Sequence, residues 1–369
     1  MKIGVYFNRN IFTRIGKGAE LNELKYLVQE AIPEGVEIFV FYPGQISWWN
    51  KKIKGLGYDV EEKRWKPSTF SFPDAVYDRA TFPEKEKEIG HEVRRRLREE
   101  FNIIFLNSKH YFDKWETHKV LAQSKELTGF LPHTKIYSHP LILEKFVNKY
   151  KTVYIKDSAG RLGQNIFKIQ REGRGKYIAF NQKERKIYRS RLELNSLNDR
   201  IVNNELQGKT LIIQQGIELA RLGNRPFDIR VLVQKNSRGK WEIVDKSIRI
   251  APYKDSVVTN ISSGGEAKGF SEVIAVVFPE KQREIENQIN TMSRKICCCL
   301  ENKYGRLGEL GIDAALDEQG RVWLLEVNGK PAKSCIHNSG NPELIHTAYS
   351  NIIKYFKYIT EGNSQNPST

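Results

Sequence analysis

Apolar and polar residues alternate on both sides of Asp317-Glu318-Gln319-Gly320, a stretch with turn chemistry. Such a turn between alternating runs predicts a β-hairpin within 308–332. With Asp317 and Gly320 flanking the turn, Ile312 pairs with Leu325, Ala314 with Trp323 and Leu316 with Arg321. Alternation puts those residues on one face and Asp313, Ala315, Val322, Leu324, Glu326 and Asn328 on the other. Nearer the start, MKIGVYF reads as a short buried strand, and Val36 to Tyr42 as a second one ended by Pro43-Gly44. Between them, Leu21, Leu24, Leu27, Val28 and Ala31 recur at helical spacing and predict a helix over 19–31. A short strand at 74–79, a charged and largely exposed helix over 84–101 and a strand at 102–107 follow. Strand–helix–strand alternation of this kind predicts a small parallel α/β domain, here residues 1–108.

Beyond residue 108 the pattern is mixed. A helix is expected over 109–129, with Trp115, His118, Leu121, Ala122 and Leu127 inward and Asp113 and Glu116 forming a capping box. Two strand runs flank a loop of small residues at 157–164, which reads as a lid. Strands are expected at 210–217, 227–234 and 241–250, the last two each carrying an arginine, Arg230 and Arg249. The stripe Ile285, Ile289, Met292, Ile296 and Leu300 predicts a helix over 280–303, with Cys299 packed in the core. Residues 361–369 are polar and expected to be a disordered tail. The whole predicts an α/β (α+β) protein.

Composition narrows the class. At 369 residues, 39% hydrophobic and 28% charged, the chain has the make-up of an ordinary soluble protein with two or three cores. No apolar run approaches a membrane span, and Met1 to Asn10 holds no signal-peptide core. The 4 cysteines, three of them adjacent at Cys297-Cys298-Cys299, lack zinc-site spacing and are expected to be reduced thiols of a cytoplasmic protein. A net charge of +16 points to an anionic partner, either a nucleotide, an acidic protein, another polyanion or nucleic acid. The densest basic block is 183–191. Nucleic acid is disfavoured, because no aromatic residues interleave with the basic ones.

Four features carry chemistry. Asp313, Glu326 and Asn328 are hard oxygen ligands on one strand face, with Glu326 and Asn328 roughly 7 Å apart at strand rise. Without His or Cys, such a set suits Mg²⁺, or Mn²⁺ in its place. Lys114 stands in the first turn of a helix, where the dipole disfavours a cation unless an anion lies nearby. Lys156 precedes Ser158 and Gly160, whose backbone N–H groups suit a phosphate cradle, although no Walker sequence occurs. An arginine within a strand, as at Arg230 and Arg249, faces a cleft or an acidic partner. Each feature also has an ordinary counterpart: a solvated strand face, an exposed lysine or a surface hairpin.

As a set, and in this order, the motifs resemble those of the ATP-grasp superfamily. They are Asp113-Lys114, Lys156 before a small-residue loop, the strand end Gln214 to Ile217, Asp228-Ile229-Arg230, Asn260 to Gly265, and Asp313 with Glu326-x-Asn328. The resemblance covers about 109–358 and implies an N-terminal α/β domain followed by a two-part ATP-grasp fold, a lid-bearing part over 109–215 and a metal-binding part over 216–360. It implies ATP and Mg²⁺, phosphate contacts from Lys114 and Lys156, and adenine hydrogen bonds to the backbone of Gln215 and Ile217. The acid that often binds the ribose falls near Leu219, beside Glu218. Asn260 to Gly265 is similar to the corresponding loop of ribosomal-protein glutamate ligases. Tyr77-Asp78-Arg79, Lys114-Trp115, Leu131-Pro132-His133-Thr134 and Phe227-Asp228-Ile229-Arg230-Val231 look like the YheC/YheD family of endospore coat-associated proteins. The superfamily resemblance implies a carboxylate–amine ligase working through an acyl phosphate, with Arg230, Arg249 and Asn260 at the reacting groups. Its carboxylate and amine substrates are not named by the resemblance; an acidic peptide or coat protein is one partner it allows. The implied location is the mother-cell cytoplasm of a sporulating bacterium, or its spore coat. The alternative is a coat-assembly protein that binds nucleotide without turnover.

Overall fold

The computed structural model describes residues 1–160, 163, 165–173, 175–183 and 186–364. Among these residues the strands gather into three sheets. In the first, Lys2–Tyr6 lies parallel to Glu37–Phe41 on one side and to Ala75–Asp78 on the other, and Ile104–Phe105 extends it in parallel. Ile3, Val5 and Tyr6 are fully buried, as a central strand covered on both faces requires. The helix Asn22–Ala31 buries Leu24, Leu27, Val28 and Ala31, the expected stripe. An antiparallel meander of Ile46–Ser47, Lys52–Asp59 and Arg64–Ser71 adds to this sheet. Its charged residues hid it from a pattern search.

The second sheet is antiparallel, in the order Lys186–Glu193, Lys176–Lys183, Ile166–Gly173, Thr152–Asp157, Leu211–Gln215, Thr134–Ile136. The basic block near residue 190 therefore belongs to its outermost strand pair. The third runs Glu266–Gly269, Trp241–Ile250, Arg225–Lys235, Glu309–Leu316, Val322–Asn328. The helix Gln282–Tyr304 lies on it with Ile285, Ile289, Met292, Ile296 and Leu300 fully buried. Cys299, expected in the core, is half-buried and packs against it, and Cys297 beside it is fully buried. All four cysteines are free.

Three expectations need correction. The helix expected over 109–129 is only Lys114–Leu121, with a 3-10 turn at Thr128–Phe130, and Ala122 is exposed rather than inward. Asp113 caps it through the N–H groups of Trp115 and Glu116, but Glu116 pairs with Lys119 at 2.8 Å instead of closing a capping box. In the hairpin, Asp313 lies directly opposite Glu326 and Leu316 opposite Val322, with the register shifting between Asp313 and Ala314. Two residues, Leu325 and Glu326, thus match one step on the facing strand, which is a β-bulge. The bulge turns Leu324 and Val322 into the core with Ile312, Ala314 and Leu316, away from the acidic face where alternation had put them. Finally, the polar C-terminal stretch is helical as far as Ser364 in the helix Pro342–Ser364; 365–369 lie outside the described residues. That last helix sets Ile345, Ala348, Tyr349, Ile352, Ile353 and Phe356 into one core with Ile3, Val5 and Val40 of the first sheet and Leu232 and Val244 of the third. No helix among the described residues is long and apolar enough to cross a membrane.

Candidate functional site

The bulged hairpin and its neighbours build a ladder of charged residues across the third sheet, two arginine–aspartate pairs that end in the facing carboxylates of Asp313 and Glu326. Register sets Arg249 opposite Asp228, Arg230 opposite Asp313, and Asp313 opposite Glu326. Opposite charges on facing strands attract, so the ladder holds its own side chains in place. Arg249, 4% exposed, closes a planar fork on Asp228 at 2.7 and 2.5 Å and touches Asp313 at 3.1 Å. Arg230 Nε lies 2.8 Å from the other oxygen of Asp313. It passes so close over Gly311 that a Cβ there would sit 2.7 Å from its guanidinium. At the end of the ladder the Asn328 amide donates to Glu326 Oε1 at 3.2 Å, and Lys114 Nζ lies 3.8 Å from Glu326 Oε2. Among the described residues no three His, Cys, Asp or Glu side chains cluster as a metal site. Asp313 and Glu326 therefore need the Asn328 amide oxygen to complete a three-ligand set. Two carboxylates, one of them still part-exposed to the cleft, and an amide fit a hard divalent cation.

The facing wall comes from the second sheet. Lys156 lies on Thr152–Asp157 and donates to Gln214 Oε1 at 2.6 Å. Burial first, then the charge of Lys114, lower its pKa to about 8 against the pull of Glu326. Lys114 starts its helix beside this strand and donates to the Gly160 carbonyl. Lys114, Lys156, Asp313, Glu326, Asn260, Gln215 and Ile217 all line one narrow cavity of about 100 Å³, together with Tyr154, Leu325 and Arg249. Gly216 sits between the two hinge residues with its N–H on the Thr152 carbonyl at 2.9 Å; a Cβ would meet that oxygen at 2.6 Å. Gln215 N–H is already donated to the His133 carbonyl at 2.8 Å. Asn260 begins a 3-10 turn, Ile261–Ser263, ended by Gly264 at φ +93°, and its carbonyl accepts from Ser263 and Gly265 N–H. Gly163, a lid residue, comes down on the Asn260 amide: a Cβ on it would lie 2.8 Å from Nδ2. Arg161, Leu162 and Gln164 of the expected lid lie outside the described residues.

Three expected contacts take other forms. Ser158 is 1% exposed, and its hydroxyl donates to the Asp113 carboxylate. Its N–H goes to the Thr210 carbonyl, and its own carbonyl accepts from Lys114 N–H. The residue ties the lid root to the helix start, and the Gly160 N–H is likewise taken, by the Asp157 carbonyl at 3.0 Å. Glu218 is exposed and accepts from the Thr152 hydroxyl at 3.1 Å, outside the narrow cavity that Leu219 lines. The Arg249 fork is closed on Asp228 rather than open to a substrate. Pattern reasoning also missed Leu325, which only the bulge brings into the cleft, and the half-buried Tyr154, which lines the same cavity. It missed Asn107 as well, whose side chain bridges the two halves of the protein. Its amide donates to the Glu309 and Gly329 carbonyls at 2.8 Å each, and its oxygen accepts from Gly308 and Glu309 N–H.

Comparison with known proteins bears on the fold and the family. Two solved structures cover nearly the whole chain. One is a Chryseobacterium gregarium RiPP-associated ATP-grasp ligase in complex with ADP and a leader and core peptide: 12% identical, TM-score 0.53, covering 96% of each chain. The other is the ATP-grasp ligase PsnB complexed with a minimal precursor: 14% identical, TM-score 0.50, covering 95% of this chain and 98% of that one. At such identities the likeness is one of fold. Two Bacillus subtilis proteins are similar in sequence. Endospore coat-associated protein YheD is 27% identical over 88% of this chain and 70% of its own length. Endospore coat-associated protein YheC is 23% identical over 96% of both. The sequence model of the YheC/D like ATP-grasp family matches residues 102–359, and the chain belongs to that family.

Proposed function

We propose that the protein is an ATP- and Mg²⁺-dependent carboxylate–amine ligase acting in endospore coat formation. The observation that carries this reading is the joining of Asp313 and Glu326 with Lys114 and Lys156 around one cavity, with Asn328 hydrogen-bonded to Glu326 beside it. Lys114 and Lys156 bind the nucleotide phosphates, and Gln215 and Ile217 border the base. Asp313, Glu326 and Asn328 hold the divalent cation, which when bound neutralises charge on the phosphates. A substrate carboxylate oxygen attacks the γ-phosphorus, the bond to ADP breaks and an acyl phosphate forms. The amine nitrogen then attacks the acyl carbon; a C–N bond forms, inorganic phosphate leaves and the amine loses a proton. Arg230 and Arg249 act by holding Asp313 and Asp228 in register, and Asn260 meets the lid. Positioning and charge neutralisation suffice for this chemistry without a protein nucleophile. The likeness of 260–265 to the loop of ribosomal-protein glutamate ligases agrees with an amino-acid or peptide substrate. The division into 1–108, 109–215 and 216–360 belongs to the same reading, and so does a mother-cell or coat location.

A second reading has one observation in its favour: both oxygens of Asp313 are engaged by arginines. A chain kept in that state binds nucleotide for coat assembly and does not turn it over. ATP-to-ADP turnover measured against pools of amino acids and coat-protein extracts separates the two. Turnover that requires a particular acid and amine establishes the ligase; nucleotide binding with no turnover under any pool establishes the alternative.

A further inference from the structure

A larger cavity, about 680 Å³, opens from the same cleft and shares Lys114, Lys156 and Glu326 with the nucleotide site. Its far wall is the helix Lys87–Glu99, which presents Lys87, His91 and Arg94 to it. These stand at i, i+4 and i+7 and so share one helix face. The helix comes close because of Gly90, where a Cβ would lie 2.4 Å from the Phe82 ring. Lys330 completes the wall from the loop after the metal strand. Behind it, Asp78 takes Arg94 Nε at 2.7 Å and Lys330 Nζ at 2.7 Å, so one carboxylate serves two cations. Among the described residues lining this cavity, Glu326 is the sole carboxylate, against the cations Lys87, Arg94, Lys114, Lys156 and Lys330. Nucleotide phosphates account for Lys114 and Lys156. Of the other three, Lys87 pairs with the exposed Glu84 at the helix start, while Arg94 and Lys330 share the one Asp78 carboxylate, so three basic side chains face two acids and the wall keeps an excess of positive charge. The helix that carries two of them lies outside the family match at 102–359.

We propose that this basic wall is the acceptor subsite and that the acceptor carries two carboxylates. One carboxylate reaches the γ-phosphate beside Glu326 and Asn328; the other is held by the Lys87–His91–Arg94 face and Lys330. The inference rests on the ligase reading and names its substrate class. A monocarboxylate would leave the excess positive charge of this wall, shared over the single Asp78 carboxylate, without an anion, and sites built to pair a polar group reject ligands lacking it by large factors. The chemistry is met by a free dicarboxylic acid or by neighbouring acidic groups of a peptide, and the volume admits either.

Calorimetric titration of the full chain tests this with glutarate, pentanoate and an acetylated tri-glutamate peptide, with and without Mg²⁺ and a non-hydrolysable ATP analogue. Glutarate or the peptide should bind at least about tenfold more tightly than pentanoate, and the tighter of the two identifies the source. The preference should vanish in Lys330→Met and in the surface double variant Lys87→Ala with His91→Ala, which touches no core residue. Equal binding of glutarate and pentanoate, or an undiminished preference in the double variant, overturns the inference. The analogue titrated alone judges the ligase reading separately. Analogue binding without a diacid preference removes only the subsite. A diacid preference without analogue binding keeps the subsite and removes the ligase.

Discussion

A glutamine fills the space of a glutamate but cannot supply its charge to a divalent cation. Glu326→Gln should therefore keep the fold and lose turnover by about a hundredfold or more, since charge neutralisation by a metal is worth several kcal/mol. Its melting temperature without nucleotide should move by no more than about 2 °C, because the carboxylate is part-exposed and its one ion pair is long at 3.8 Å. A collapse of the ligand-free melting temperature would assign Glu326 a structural role instead. Lys156 gives a pH signature. In the empty protein it titrates near 8, and a bound phosphate favours its charged form. Above that pH nucleotide binding must take up a proton, so ATP affinity should fall by up to about tenfold per unit. Lys156→Met should show weaker binding with no such slope, as titration calorimetry between pH 7 and about 9.5 would reveal. The stability of the empty protein runs the other way. The unfolded chain holds this proton up to 10.5, so this group adds stability as pH rises from about 8 toward 10.5. At this scale the closeness of Asp313, Glu326 and Asn328 was legible, because strand spacing carries it. Ser158 and Glu218 were not, because what decides them is which neighbour takes their hydrogen bonds.

Between residues and the whole, single backbone details decide where elements point. Gly216 lets the hinge strand lie against the Thr152 carbonyl. Gly216→Ala puts a methyl group where there is room for none and should cost about 1–3 kcal/mol. It should also weaken nucleotide binding, since Gln215 and Ile217 would be displaced together; thermal unfolding and nucleotide titration of the variant check both. A variant as stable and as tight-binding as the parent would show that the hinge has slack. The hairpin's existence could be read from alternation and a turn, whereas its bulge could not. Val322, Trp323, Leu324 and Leu325 are all apolar, so no change of polarity marks the residue that slips. The same limit hid the basic face of the helix Lys87–Glu99. Its periodicity was visible, but charge at helical spacing reads as a solvated face until a cavity is seen beside it.

At the scale of the molecule, parts far apart in sequence hold one another. Tyr77 donates to Glu309 at 2.9 Å, and Lys333 reaches both, at 2.9 and 2.8 Å, in a buried network between the first and third sheets. Removing Lys333 leaves the buried Glu309 carboxylate to the longer Arg79 pair at 3.6 Å, and breaking a buried pair costs up to about 3–5 kcal/mol. Lys333→Met should therefore lower the melting temperature of the whole protein in one transition. Two separated transitions would mean that the halves unfold independently. None of this was legible in the sequence, because residues more than two hundred positions apart carry no shared pattern. The last helix adds a consequence of a different kind, in the order of manufacture. Lys2–Tyr6 leaves the ribosome more than three hundred residues before Ile345, yet part of the apolar face it belongs to is covered by Ile345 and the residues after it. At about 5–20 residues per second, that face waits roughly twenty seconds to a minute for its cover. Throughout synthesis the nascent chain carries an exposed sticky surface, and its yield in the cell should depend on the supply of chaperones that shield such surfaces.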